Sequence, residues 1–217
     1  WHRIQRRCEL QCQSHFGMAS HHLLRRAGNR TPSSGLSIAL EFSGETMTGV
    51  RIAVTGTPGT GKTTFCSASN HPTTTLEKIA ATYGCLGEVE EDGAAPIDVE
   101  RLANTVIWPE ETTLLVDGHL SHLLPVNAII LIRCHPSVLR QRLSQRKYSE
   151  SKIEENVECE LIGTIAAECL ELPCLEMDSA IGIDAMIAIA ERWVTDGFKP
   201  LRPNEGVDWI AEIHGDD

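Results

Sequence analysis

The sequence predicts an α/β protein with a parallel, doubly wound sheet, and three observations carry the prediction. Short apolar runs recur at 51–55, 113–116, 128–132 and 172–177. Stretches with helical spacing fall between them. A glycine-rich turn follows the first run at once, where a strand would hand over to a helix.

Taken in order, Arg51-Ile-Ala-Val-Thr55 is a short β-branched run leading into Gly56-Thr-Pro-Gly-Thr-Gly-Lys-Thr-Thr64. Residues 98–107 place Val99, Leu102, Ala103 and Val106 on one side of a helix. Asp98 suits its N-cap, and Glu100 complements the positive end of its dipole. Thr113–Val116 and Ala128–Ile132 are continuously apolar, as strands buried on both faces should be. Pro136–Gln145 reads as a helix with proline in its first turn. A longer helical segment runs roughly from Glu150 to Leu170, and Leu172–Met177 is the last strand. The last helix, Ile183–Trp193, lines up Ile183, Met186, Ile187, Ala190 and Trp193.

With 217 residues, 41% hydrophobic and 23% charged, the composition is that of a soluble globular protein with a full core. No stretch approaches the ~18 consecutive apolar residues of a membrane helix, so membrane spanning is excluded. Lys and Arg number 19 against 30 Asp and Glu, a net charge of −11. That field repels phosphate backbones, so no strong direct nucleic-acid binding is expected; any RNA contact is local or made through another protein. The eight cysteines, at 8, 12, 66, 85, 134, 159, 169 and 174, mostly sit in apolar or helical runs. They are expected to behave as small hydrophobes in a reducing, cytoplasmic setting.

The chain divides unevenly. Residues 1–46 hold six Arg, three Glu and no Lys, lack a sustained apolar period, and are expected to be a disordered or non-native extension, with a natural start at Met47. A targeting peptide fits less well, the segment being long and weakly amphipathic. Cys8, Cys12, His15, His21 and His22 match no closed zinc spacing. Residues 47–197 are expected to form the domain, and 198–217 a C-terminal strap whose Trp209 packs on it.

Gly56-Thr57-Pro58-Gly59-Thr60-Gly61-Lys62-Thr63 satisfies G-x-x-x-x-G-K-[ST] between a strand and a helix start. Glycines let successive N–H groups turn inward as an anion nest, and the helix N-terminus adds partial positive charge. Lys62 would reach the β- and γ-phosphates of a nucleotide, the Thr63 hydroxyl would complete a Mg²⁺ shell, and Thr64 would add a hydroxyl near the α-phosphate. Asp117, ending an apolar strand in Leu114-Leu-Val-Asp-Gly-His119, is placed to hold magnesium through water. His119, two residues on, could orient a nucleophilic water or relay a proton. Without the phosphate loop, Asp117 would read as a turn cap and His119 as a surface residue. His122 is expected at the surface, and His135 in a loop or as a helix cap. Arg140, Arg142, Arg146 and Lys147 form a basic segment that reads either as a solvated face or as a lid neutralising the γ-phosphate, with Arg146 the leading candidate.

The glycine-rich loop from Val54 to Thr64, Val116-Asp-Gly-His119, and Arg142-Leu-x-x-Arg146-x-Tyr148-x-x-x-Lys152-Ile-x-x-Asn156-Val-x-x-Glu160 together resemble the archaeal and nuclear adenylate kinase isoenzyme six family, over roughly residues 50–195. Its members are small nucleoside monophosphate kinases and ATPases that also assist maturation of the small ribosomal subunit. The resemblance implies a P-loop NTPase fold with a short lid, about Gln145–Glu155, and this sequence's own monophosphate-binding region is expected to be reduced. It implies ATP held by Gly59, Thr60, Gly61, Lys62, Thr63 and Thr64, with Arg146 as the lid arginine touching ATP. Asp117 and His119 match the family's Asp-x-His pair, tied to magnesium and hydrolysis.

The sequence departs from that pattern in places. Lys147 stands where the family usually has Gly. Residues 65–79 are polar and Thr-rich where an amphipathic helix and a second strand are expected. The stretch from about Thr75 to Asp98 is short and acidic (Glu88, Glu90, Glu91, Asp92), and Arg101 is the only arginine near it. Two function classes follow: an enzyme moving the γ-phosphoryl of Mg·ATP to AMP or another nucleoside monophosphate, or an ATP-driven assembly switch acting with a small-subunit ribosomal protein. A P-loop kinase of another small acceptor is a third reading. No Asn-Lys-x-Asp guanine-reading motif occurs.

Overall fold

Each apolar run becomes a strand of one sheet. In the computed structural model, which describes residues 49–89, 95–109, 112–146, 148–203 and 206–215, the strands are β1 (Arg51–Thr55), β2 (Thr73–Thr75), β3 (Leu114–Asp117), β4 (Ala128–Arg133) and β5 (Cys174–Asp178). They lie in the order β2-β3-β1-β4-β5, and every pairing is parallel. The helices are α1 (Lys62–Ala68), α2 (Leu76–Thr82), α3 (Val99–Thr105), α4 (Pro136–Gln145), α5 (Glu150–Leu161), α6 (Thr164–Glu168), α7 (Ile183–Thr195) and α8 (Trp209–His214). The expectations for residues 1–46, with their Cys and His, and for Glu90, Glu91, Asp92 and Lys147 lie outside the described residues.

The core forms on both sides of the sheet because successive strand residues point to opposite faces. One face carries Ala53, Val116, Ile129 and Leu131, covered by Leu76, Ile79 and Ala80 of α2 and Val99 and Leu102 of α3. The other carries Ile52, Val54, Leu115, Ile130 and Ile132, covered by Phe65 of α1 and by Met186, Ala190 and Trp193 of α7. A third cluster, Leu139, Leu143, Ile153 and Val157, joins α4 to α5. The α3 expectation holds down to its cap, where the Asp98 side chain accepts from Arg101 N.

Three elements differ from the sequence reading. Residues 65–79 do form a helix and a strand, but β2 is only three residues long and its burial is slight. An edge strand pairs on one side only, so it needs no apolar run. The single helix expected over 150–170 is broken at Gly163, whose φ of +68° turns the chain into α6. The tail adds α8, with Trp209 2% exposed. No helix among the described residues is long and apolar enough to cross a membrane.

Candidate active site

The sheet places the carboxyl ends of β1, β3 and β4 side by side at the point where strand order reverses, the position at which parallel α/β sheets bind ligands. The loop after β1 folds through three left-handed glycines, Gly56 (φ +137°), Gly59 (φ +96°) and Gly61 (φ +116°). At Gly56 the reason is also steric: a Cβ would stand 2.2 Å from the Ile132 carbonyl of β4. At Gly59 it would meet Leu139 and Leu143 of α4 at 2.9 and 3.0 Å, so α4 packs directly on the loop.

Lys62 and Asp117 are 9% and 7% exposed. The Lys62 ammonium donates to Gly56 O at 2.8 Å and Thr57 O at 3.0 Å. Burial pulls its pKa from 10.5 to about 8, against the fields of Asp117 and Glu160, which act to raise it. Thr63 Oγ1 donates to Asp117 Oδ2 at 2.8 Å, joining the first turn of α1 to the end of β3. His119 is half-buried beyond Asp117, and its carbonyl accepts from Thr55 Oγ1 at 3.0 Å. Thr64 is exposed on α1.

Of the basic segment, Arg142 lies on the loop: its Nη1 donates to Thr60 O at 3.2 Å, Gly59 O at 3.4 Å and Ser179 Oγ at 3.3 Å. Arg146 caps α4 with an exposed side chain, close enough for its charge to lower the Lys62 pKa. Arg140 pairs outward with Glu150 and Glu154 at 3.1 and 2.6 Å. His135 caps α4, its ring accepting from Ser137 N.

Two findings were not legible in the sequence. His122, expected at the surface, is 6% exposed; its Nδ1 lies 2.9 Å from Thr55 Oγ1 and its Nε2 3.0 Å from Glu168 Oε2. The break at Gly163 brings α6 and its Glu168 over the ring, a consequence of tertiary packing. Glu160, 2% exposed, accepts from Thr57 Oγ1 at 2.6 Å. Its place in the sequence pattern shows where it is but not what it touches.

The comparisons with known proteins agree with this arrangement. A protein-family profile described as "AAA domain" matches residues 52–163. A "Putative adenylate kinase" of Archaeoglobus fulgidus is 38% identical over 172 residues, covering 75% of this chain and 93% of the relative. The chain belongs to the adenylate kinase-like family of P-loop nucleoside monophosphate kinases. A second relative in this family, from Thermococcus onnurineus, is 39% identical over 173 residues, or 74% of this chain and 92% of its own. Among solved structures, a shikimate kinase from Bacteroides thetaiotaomicron aligns with 67% of this chain and 98% of its own, at 16% identity and a TM-score of 0.42.

The residues of this P-loop fit a nucleotide with magnesium. Thr60 Oγ1 is buried without a protein partner, an orphaned hydroxyl of the kind that awaits a ligand. A Cβ added at Gly61 would meet nothing within 4 Å, so the loop is open there. Thr63 and Asp117 supply a hydroxyl and a carboxylate, hard oxygen donors suited to Mg²⁺. Among the described residues no three His, Cys, Asp or Glu side chains converge as a metal cage.

Proposed function

We propose that this chain is a nucleotide kinase that transfers the γ-phosphoryl group of Mg·ATP to AMP, has associated ATPase activity, and serves maturation of the small ribosomal subunit. The observation that carries the reading is the hydrogen bond of Thr63 to Asp117 beside the buried ammonium of Lys62. It sets two oxygen groups suited to a cation beside a positive charge suited to phosphate, which supports the reading.

In this reading Gly59 and Gly61 line the phosphates with backbone N–H groups, and the orphaned Thr60 hydroxyl finds its missing partner there. Lys62 exchanges its two loop carbonyls for phosphate oxygens. Thr63 and Asp117 hold Mg²⁺, which when bound neutralises charge on the phosphate oxygens. Thr64 adds a hydroxyl near the α-phosphate. Arg146 swings from the exposed end of α4 over the γ-phosphate, and the lid it begins keeps water out. His119 orients a water in the hydrolytic reaction. Catalysis is then positioning and electrostatics, with no covalent intermediate on the protein. The net charge of −11 supports a basic partner such as a small-subunit ribosomal protein.

A second reading, a switch ATPase indifferent to AMP, is favoured by one observation. Arg101 lies on α3 with its side chain exposed, and the segment beside it carries Glu88 but no arginine that would clamp a monophosphate. A coupled assay of Mg·ATP turnover with AMP, other monophosphates or no acceptor tests both. Stimulation by AMP with two ADP formed is expected. Slow hydrolysis unchanged by every monophosphate would refute the kinase.

A further inference from the structure

Glu160 lies in the last turn of α5, and its carboxylate takes four hydrogen bonds from three parts of the chain. Oε2 accepts from Thr57 Oγ1 at 2.6 Å. Oε1 accepts from Arg133 Nε at the end of β4 (2.7 Å), from Cys134 N (3.0 Å) and from Trp209 Nε1 of α8 (3.1 Å). Arg133 is itself divided: Nη2 donates to the Glu160 carbonyl at 2.8 Å, and Nη1 to Glu176 at 2.5 Å and Val207 O at 3.3 Å. Burial alone would lower the guanidinium pKa, but the two carboxylates outweigh it and raise it above the ordinary arginine value.

A buried cluster of one cation and two acids is a poor stabiliser, because well-packed apolar side chains hold a fold as firmly without desolvating charge. It does fix geometry. A threonine hydroxyl has one proton, and at Thr57 it is committed to Glu160, so the side-chain rotor is set. The carbonyl of the same residue holds Lys62 Nζ at 3.0 Å. A path of hydrogen bonds therefore runs from Trp209 through Glu160 and Thr57 to Lys62 of the phosphate loop.

We propose that Glu160 is a positioning residue for the phosphate loop, and that through it the C-terminal helix α8 supports the nucleotide site. The proposal rests on the loop being the ATP site. It also puts the two ends of α5 to different uses: the first turn falls within the expected lid, and the last turn holds the loop.

The test measures Mg·ATP affinity by calorimetry and thermal stability for wild type, Thr57→Val, Thr57→Ser, Trp209→Phe and the Thr57→Val/Trp209→Phe double variant. Trp209→Phe keeps an aromatic ring but removes the N–H together with part of the buried indole's volume, so thermal stability is read beside affinity to separate lost packing from the lost hydrogen bond. Thr57→Val and Trp209→Phe are each expected to weaken Mg·ATP by about tenfold, and Thr57→Ser to restore wild-type affinity. The double variant is expected to be no weaker than the worse single, because both act through one carboxylate. Unchanged affinity in Trp209→Phe, even with a lower melting temperature, would make the cluster purely structural and overturn the proposal. So would strict additivity in the double variant. A wild-type chain that fails to bind Mg·ATP would overturn the reading of the loop itself, an outcome visible before any variant is made.

Discussion

The charge on Lys62 is the part of the site most open to direct measurement. Its pKa, brought down from 10.5 to about 8 by burial, means that holding the ammonium charged in the ligand-free protein costs about 3 kcal/mol. At pH 8 the side chain is protonated in about half of the molecules. Phosphate oxygens favour the charged form, so nucleotide binding raises the pKa again and draws in the missing proton. Uptake of about half a proton per Mg·ATP is expected at pH 8, falling toward zero near pH 6.5. Cys66, beside it, is pushed up to about 12, by burial first and then by the field of Asp117, so that thiol releases no proton in the same window.

The assay is calorimetric titration in buffers of different ionisation heat, at pH 6.5, 7.5, 8 and 8.5. For kcat/KM the same titration gives an alkaline limb near pH 8, since that parameter reports the free enzyme. For folding the sign runs opposite to that of a lysine gaining a partner. The pKa is lowered in the folded state, so the cost is fully present below pH 8. It is relieved as pH rises toward 10.5, where the unfolded chain still binds the proton. Binding without proton uptake between pH 7.5 and 8.5, or uptake that persists in Lys62→Met, would refute the reasoning.

Gly56→Ala is expected to destabilise the fold by about 3 kcal/mol or more, because its Cβ meets the rigid backbone of β4; Gly61→Ala, strained at φ +116° but facing open space, is expected to cost only about 1–2 kcal/mol. Equal denaturant midpoints for the two would contradict this. His119→Ala is expected to lose hydrolysis while keeping ATP affinity; a large affinity loss in a binding titration would mark a structural role instead. Asp117→Asn is expected to weaken Mg·ATP far more at pH 8 than at pH 6.5, a difference read directly from paired titrations. Deletion of residues 1–46 is expected to leave the melting temperature and turnover nearly intact, and a fall in either would show that the segment belongs to the fold.

The loop from Gly56 to Thr63 and the Asp117-x-His119 pair were legible because their chemistry is local. Each needs particular residue types at fixed spacing beside a strand, and β1, β3 and β4 announce themselves as apolar runs. The neighbours of His122 and Glu160 were not legible for the converse reason. A buried polar side chain is satisfied by whatever the fold brings to it: Glu168 by way of the turn at Gly163, and Trp209 from 49 residues further on. The strand β2 escaped clear reading because Thr73–Thr75 lies at an edge and buries little. Arg142 was visible as part of a basic run, but only the packing of α4 on Gly59 and the hydrogen bonds of Arg142 to Gly59 O and Thr60 O show that it lies against the loop.

The two acids beside Lys62 bear on how any variant of this site is interpreted. Asp117 and Glu160 both raise the Lys62 pKa against desolvation, so they keep the ammonium charged near neutral pH in a place where burial works to discharge it. Neutralising either acid therefore removes more than its own contact: it moves Lys62 toward the uncharged form and weakens phosphate binding indirectly. Loss of the Asp117 carboxylate through a cation it helps to hold persists at every pH at which Mg·ATP is ionised. Loss through Lys62 disappears once acid restores the proton. The pH at which the variant is assayed thus separates the two roles of one carboxylate, and a single measurement at pH 8 would merge them.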